Sequence, residues 1–161
     1  MAYKTIKLTK HSDVIEELVA HEAITPGMLL SLTTAGQVEP HTQAGGNDLP
    51  AFALEDELQG KGIDDDYVEG DVVQVWIPGR GDWVNALLAD DQDVLPGNWM
   101  ESDGEGRLRI HEPDPGDSTI GTVVNPIVGV AREKVSSGLG SGSESSAEGL
   151  YYNPRVKVTI Y

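Results

Sequence analysis

Four histidines (His11, His21, His41 and His111) and 27 acidic side chains are the groups in this chain that could hold a metal ion or move a proton. A zinc-binding helix of the H-E-x-x-H type needs its second histidine one turn after the first, and neither His21-Glu22 nor His111-Glu112 has one. Asp64, Asp65, Asp66, Glu69 and Asp71 resemble a calcium loop at first glance. Val68 and Glu69, however, stand where that loop needs Asp or Asn and then a turn-forming Gly, so the run reads as a solvated acidic turn. No G-x-x-x-x-G-K-[ST] is present, and Gly138, Gly140 and Gly142 are followed by serines and acids rather than by an apolar helix that could cradle phosphate. No G-x-S-x-G gives any serine the context of a nucleophile. Zero cysteines exclude disulfides, thiolate metal sites and thiol catalysis. With 27 acids the chain holds too many carboxylate pairs for any one pair to point to glycoside hydrolysis. No metal site, cofactor or catalytic residue is expected, and the chain reads as a non-enzyme.

Two further patterns invite a binding role. Arg80-Gly81-Asp82 spells an adhesion tripeptide, but Pro78 to Asp82 joins two strand-like runs, and Gly79 and Gly81 fit a hairpin turn. Trp76, Trp83 and Trp99 could stack on sugar rings, yet each sits in a strand-like run, which favours a place in the core.

The elements that would position these residues follow from composition. A chain of 161 residues, 39% hydrophobic, suits one domain with a core of its own. No apolar run approaches the roughly 20 residues that span a bilayer, and no membrane partner is expected. A formal charge of −16 opposes binding to phosphate backbones, so nucleic acid is not an expected partner either. The same acid-rich, lysine-poor balance suits concentrated salt. Charge is unevenly spread: Lys4, Lys7 and Lys10 give the first ten residues +3 and leave −19 on the rest. Tyr3, Ile6 and Leu8 lie among these lysines, which gives an extended arm apolar groups to bury against an acidic neighbour or its own domain. Residues 12–22 predict a short helix, from an Asp13/Glu16 capping-box spacing and the i, i+4 pairs Val14/Leu18 and Ile15/Val19. Residues 1–22 thus form an arm with a short helix, ahead of a β-rich domain over 23–161.

Beyond Thr25, nineteen glycines and nine prolines across the chain cut it into short apolar runs without helical period. The runs are 28–32, 51–54, 72–77, 83–88, 98–101, 107–111, 119–124, 127–132 and 155–161. They predict an all-β barrel or sandwich with at most one short helix. In the last run Val156, Val158 and Ile160 alternate with Arg155, Lys157 and Thr159, as in a half-buried strand. Ile24, Pro26, Gly27, Gly36, Val38 and His41 recur 70 residues later as Val94, Pro96, Gly97, Gly106, Leu108 and His111. Both segments read as Pro-Gly, strand, glycine turn, strand, which fits either one hairpin made twice or generic hairpin grammar. Residues 136–149 are Gly/Ser-rich with almost no apolar surface and predict a flexible loop.

Residues 23–111 carry a resemblance. The ordered landmarks Ile24-Thr25-Pro26-Gly27, Phe52-Ala53-Leu54-Glu55, Gly60 to Tyr67, Gly70-Asp71, Pro78 to Asp82, Pro96-Gly97 and Asp103-Gly104 resemble the capsid decoration, or cement, proteins of tailed bacteriophages and related haloarchaeal tailed viruses. The resemblance implies a small β-tulip-like or barrel-like domain made in the host cytoplasm. It also implies a homotrimer over three-fold positions on the outer surface of an expanded capsid, stabilising the head. The implied partners are the major capsid protein and further copies of this chain. Tyr3, Lys4, Ile6, Lys7, Leu8 and Lys10 would contact capsid or a neighbouring subunit, and Pro26, Gly27, Gly70, Gly79, Gly81, Pro96 and Gly97 would form structural turns. The alternative is a carbohydrate-binding or host-attachment module that uses the tryptophans.

Overall fold

The computed structural model describes residues 3–11, 13–46, 49–112, 125–136 and 154–161. The strand expected at 119–124 and all but the first residue of the Gly/Ser loop expected at 136–149 fall outside these residues. Among the described residues eleven strands carry the fold: β1 (Lys7–Thr9), β2 (Val14–Val19), β3 (Leu30–Leu32), β4 (Val38–Pro40), β5 (Phe52–Ala53), β6 (Val72–Ile77), β7 (Trp83–Leu87), β8 (Trp99–Ser102), β9 (Leu108–Ile110), β10 (Gly129–Ala131) and β11 (Arg155–Ile160). One 3-10 turn, Glu57–Gln59, is the only helical element among the described residues. The chain is all-β, as its glycine and proline punctuation predicts.

The 70-residue repeat is a duplicated half. In the second half the sheet runs β7-β11-β10-β8-β9, all antiparallel neighbours. In the first half β2-β6-β5 continues through a Leu29–Phe52 bridge to the β3-β4 hairpin, which gives the same order. Each half closes on itself through a parallel bridge, Ala20 to Val38 in the first and Leu88 to Leu108 in the second. The matched detail extends to turns: the Gly27 N–H donates to Ala53 O as the Gly97 N–H donates to Ala131 O, at 2.8 and 2.9 Å. Gly27 and Gly97 both hold a positive φ, 92° and 94°, in the Pro-Gly turns that the sequence marks. The burial differs. Pro26-Gly27 is packed inside, whereas Pro96-Gly97 faces solvent.

Each half has its own apolar centre. Ala20, Ile24, Leu30, Val38, Ala53, Tyr67, Val73 and Val75 fill the first. Val84, Ala86, Val94, Met100, Leu108, Ala131, Val156 and Val158 belong to the second, which Ile6, Leu29, Phe52, Leu54 and Trp76 join from the first half and the arm. The halves are also stitched by backbone: Leu29 N–H donates to Gly106 O, and Gly45 N–H to Ser102 O.

One expectation for the N-terminal segment is corrected. Residues 14–19 form strand β2, not a helix, pairing with β6 over six consecutive residues from Val14–Ile77 to Val19–Val72. A single helix would satisfy its own backbone but leave one edge of β6 bare, so tertiary pairing overrides a weak local preference that the β-branched Val14, Ile15 and Val19 already oppose. The arm, in turn, buries apolar groups against its own domain, one of the two courses its residues leave open. β1 adds to the outer edge of β7, and Ile6 is fully buried in the second core.

Candidate functional site

Among the described residues no cluster of three or more His, Asp or Glu is placed to hold a metal ion. The acidic turn is tied up locally: the Gly62 N–H donates to Asp65, the Val68 N–H to Asp71, and Arg155 stands 3.8 Å from Asp64. The adhesion tripeptide is unavailable as a ligand, because Asp82 is fully buried and its carboxylate accepts the N–H groups of His11 and Gly79. Glu101 is also fully buried, accepting from Arg109 at 2.7 Å and lying 2.7 Å from His111 Nδ1. These groups hold the fold.

Other features face outward. β11 alternates as its sequence predicts, with Val156, Val158 and Ile160 inside. Its pairing with β7 sets Thr159 beside Trp83 and Lys157 beside Asn85. Lys157 Nζ lies 5.4 Å from the Trp83 ring centre, and the exposed Arg132 guanidinium lies 5.5 Å from the same ring. Lys157 Nζ also donates to Tyr3 Oη at 2.9 Å and sits 5.2 Å from that ring. A second group adjoins through the turn between β6 and β7: the Arg80 guanidinium is 5.0 Å from the Tyr161 ring, which meets Trp99 edge-on at 5.2 Å. Tyr3, Trp99 and Tyr161 are 38, 43 and 58% exposed. At the margin Glu133 accepts the Lys157 backbone N–H. Arginine and lysine over aromatic faces are held in fixed positions by the ring quadrupole. On a chain of −16 these groups form a cationic, aromatic face.

The expected arm residues are divided among several environments. Tyr3 belongs to this face, and Lys4 is exposed. Ile6 is core, with its N–H donated to Glu55 and its carbonyl accepting from Asn85. Lys7 and Lys10 both bind Asp13, at 2.7 and 2.5 Å, and Lys7 stands 5.8 Å from the Trp76 ring. Hydrogen bonds from Lys10 and Lys7 hold the Asp13 carboxyl below the ordinary carboxylate range. Leu8 lies half-buried in β1. Of the expected turn residues, Gly70 and Gly81 take positive φ and Gly79 does not; instead its N–H is held by Asp82. The Pro26 carbonyl accepts from Arg155, whose burial presses its pKa down while Asp64 opposes the shift.

The tryptophans also divide. Trp76 is fully buried, Trp83 is half-buried under its cations, and Trp99 is exposed rather than in the core. Sequence reasoning misses Arg80, Arg132, Lys157 and Tyr161. The alternation of 155–161 does mark Lys157 as outward, but only strand pairing brings it to Trp83.

No protein-family model matches the chain, and no curated protein matches it. Its fold is similar to that of the head fiber gp8.5 N base of bacteriophage phi29, with a TM-score of 0.53 and 14% sequence identity over 93% of this chain and 95% of that one. At that identity the likeness is one of fold.

Proposed function

We propose that this chain is a structural protein of a tailed-virus head that docks on the outer surface of the capsid and stabilises the expanded shell. The observation that carries the reading is the aromatic and cationic face of Tyr3, Trp83, Trp99, Tyr161, Arg80, Arg132 and Lys157 on a strongly acidic body. Such a face can approach an acidic shell without repulsion and contribute desolvated ring contacts once there. The shared fold with a phage head fiber base and the landmark resemblance to decoration proteins support the same placement. Docking as a homotrimer at three-fold positions would triple each modest contact. Ring contacts, less screened than exposed ion pairs, would keep such docking effective in the concentrated salt that the acidic composition suits.

Co-sedimentation with expanded shells of the major capsid protein tests the reading. Bound copies should saturate at a fixed ratio to capsid subunits, and a Trp99→Ala/Arg132→Glu variant should bind less with an unchanged melting temperature. Absence of wild-type binding at both low and high salt would overturn it. The second reading, glycan binding, is favoured by one observation, the exposed Trp99 against Tyr161. A shift of Trp99 fluorescence with glycan but not with shells would select it.

A further inference from the structure

The two halves differ at one edge. In the second half the outer edge of β7 is covered by the arm through β1 and by the Pro26-Gly27 turn: the Asn85 N–H donates to Ile6 O at 2.9 Å, and the Leu87 N–H to Gly27 O at 3.0 Å. The matching strand of the first half is β2, whose partner on one side is β6; on the other side, among the described residues, only β4 meets the chain, just past the end of β2 at the Ala20–Val38 bridge. The Ala20 N–H turns toward β6, donating to Asp71 O at 2.8 Å. By the alternation of an antiparallel strand, the N–H and C=O of Ile15 and Glu17 then point away from β6. They occupy the places of Trp83 and Asn85 in the other half. β2 is exposed along most of both faces, only Leu18 being half-buried against the first core, with Val14, Ile15 and Val19 at 50, 41 and 40% exposure and Val72 of β6 beside them at 54%. Proteins usually blunt such an edge with charges, a bulge, a proline or a covering segment; among the described residues β2 has no bulge, proline or cover, and only Glu16 and Glu17 guard it.

We propose that the outer edge of β2 is a strand-addition site, and that its occupant is an extended, lysine- or arginine-bearing segment of the viral shell. The identity of the shell as source rests on the docking function above; the edge itself does not. Charge selects the occupant. Two β2 strands related by a two-fold axis would meet, in the registers that use the full strand, with Glu16 opposite Glu16 or Glu17 opposite Glu17, and like charges directly opposed destabilise a ladder. A second copy is therefore disfavoured, whereas a basic strand meets Glu16 and Glu17 favourably. The segment that fills the equivalent edge within the chain, Lys4 to Lys10, is itself of that kind. Backbone hydrogen bonds would supply attachment, and the alternating apolar and acidic groups of β2 would set the register.

The test has two arms on the full chain. A synthetic peptide with the sequence of residues 4–10 should slow hydrogen exchange at the Ile15 and Glu17 amides, more strongly at low salt; unchanged exchange at saturating peptide overturns the edge as a site. For shells, Glu17→Pro removes an outward N–H while sparing the bonds to β6. It should weaken sedimentation roughly fivefold to tenfold, the loss of one or two ladder hydrogen bonds. Glu16→Lys should weaken it without touching the backbone. Wild-type binding with both variants equal to it overturns the proposal and leaves the docking function standing. Failure of the wild type on shells overturns the docking function and the shell as source, and the peptide arm then decides the edge alone.

Discussion

Removal of residues 1–10 should unfold this protein partway rather than free it of a dispensable arm. Ile6 is fully buried, and loss of such a side chain costs about 2–5 kcal/mol, including the cavity it leaves. Two hydrogen bonds go with it, Asn85 N–H to Ile6 O and Ile6 N–H to Glu55, at about 1 kcal/mol each. The sum, about 4–7 kcal/mol, is a large part of the roughly 5–15 kcal/mol that stabilises a typical domain. At roughly 2–4 °C per kcal/mol for a chain of this size, the melting temperature should fall by roughly 10–25 °C. Thermal melts followed by circular dichroism, with urea titration as a check, give the comparison. Ile6→Ala alone should reproduce most of the fall, and Tyr3→Ala, which removes an exposed ring, should shift it little. A truncated chain melting within about 3 °C of the full one would refute the argument that Ile6 is core. The consequence reaches function: loss of capsid binding on truncation would report unfolding as readily as a lost contact. Lys4→Glu, on an exposed side chain, is the cleaner probe of the arm as a contact.

Further outcomes follow from the same structure. Gly27→Ala should destabilise by more than Gly97→Ala although both hold nearly equal φ. A Cβ at Gly27 would strike Arg155 and come 3.1 Å from Asn85 O, whereas the space around Gly97 is open, so urea melts of the two variants should separate. Tyr67 donates to Leu54 O at 2.8 Å, and burial pushes its pKa from 10.0 up to about 12. The folded state therefore keeps a proton that the unfolded chain releases above pH 10, and stability should fall between pH 10 and 12. Urea midpoints across that range should fall less steeply in Tyr67→Phe. Glu101→Ala strands Arg109 and His111 around a fully buried site and should cost about 3–5 kcal/mol by urea titration. A cost under about 1 kcal/mol, the range of exposed pairs, would mean that the cluster contributes as surface ion pairs do.

The landmarks legible in the sequence are those where local chemistry has one outcome. Pro26-Gly27 and Pro96-Gly97 mark turns because proline presets φ and glycine accepts the positive φ that follows. Val72–Ile77 is a strand as expected from its own residues, and 155–160 alternates because one face of β11 is buried. The repeat was visible as six spaced residues, yet its meaning as a duplicated half was not, because the pairings that define it link residues such as Ile24 and Tyr67, or Val94 and Val135, far apart in the chain. The helix expected at 12–22 failed for the same reason: β6 lies more than fifty residues away, and no local signal announces the edge that β2 fills.

For the candidate site the division is sharper. Composition and motif reading alone excluded disulfides and thiol chemistry and placed cations in the arm, since those properties belong to residue types. Whether Ile6 anchors the core, whether Trp99 faces solvent, and whether Lys157 and Arg132 meet over Trp83 were decided by strand register across β1, β7, β11, β10 and β8. A one-residue shift in that register would turn every one of these side chains to the opposite face. Side-chain identity is written in the chain, but the face on which a side chain stands is fixed by the partner strand, and tertiary structure supplies the partner.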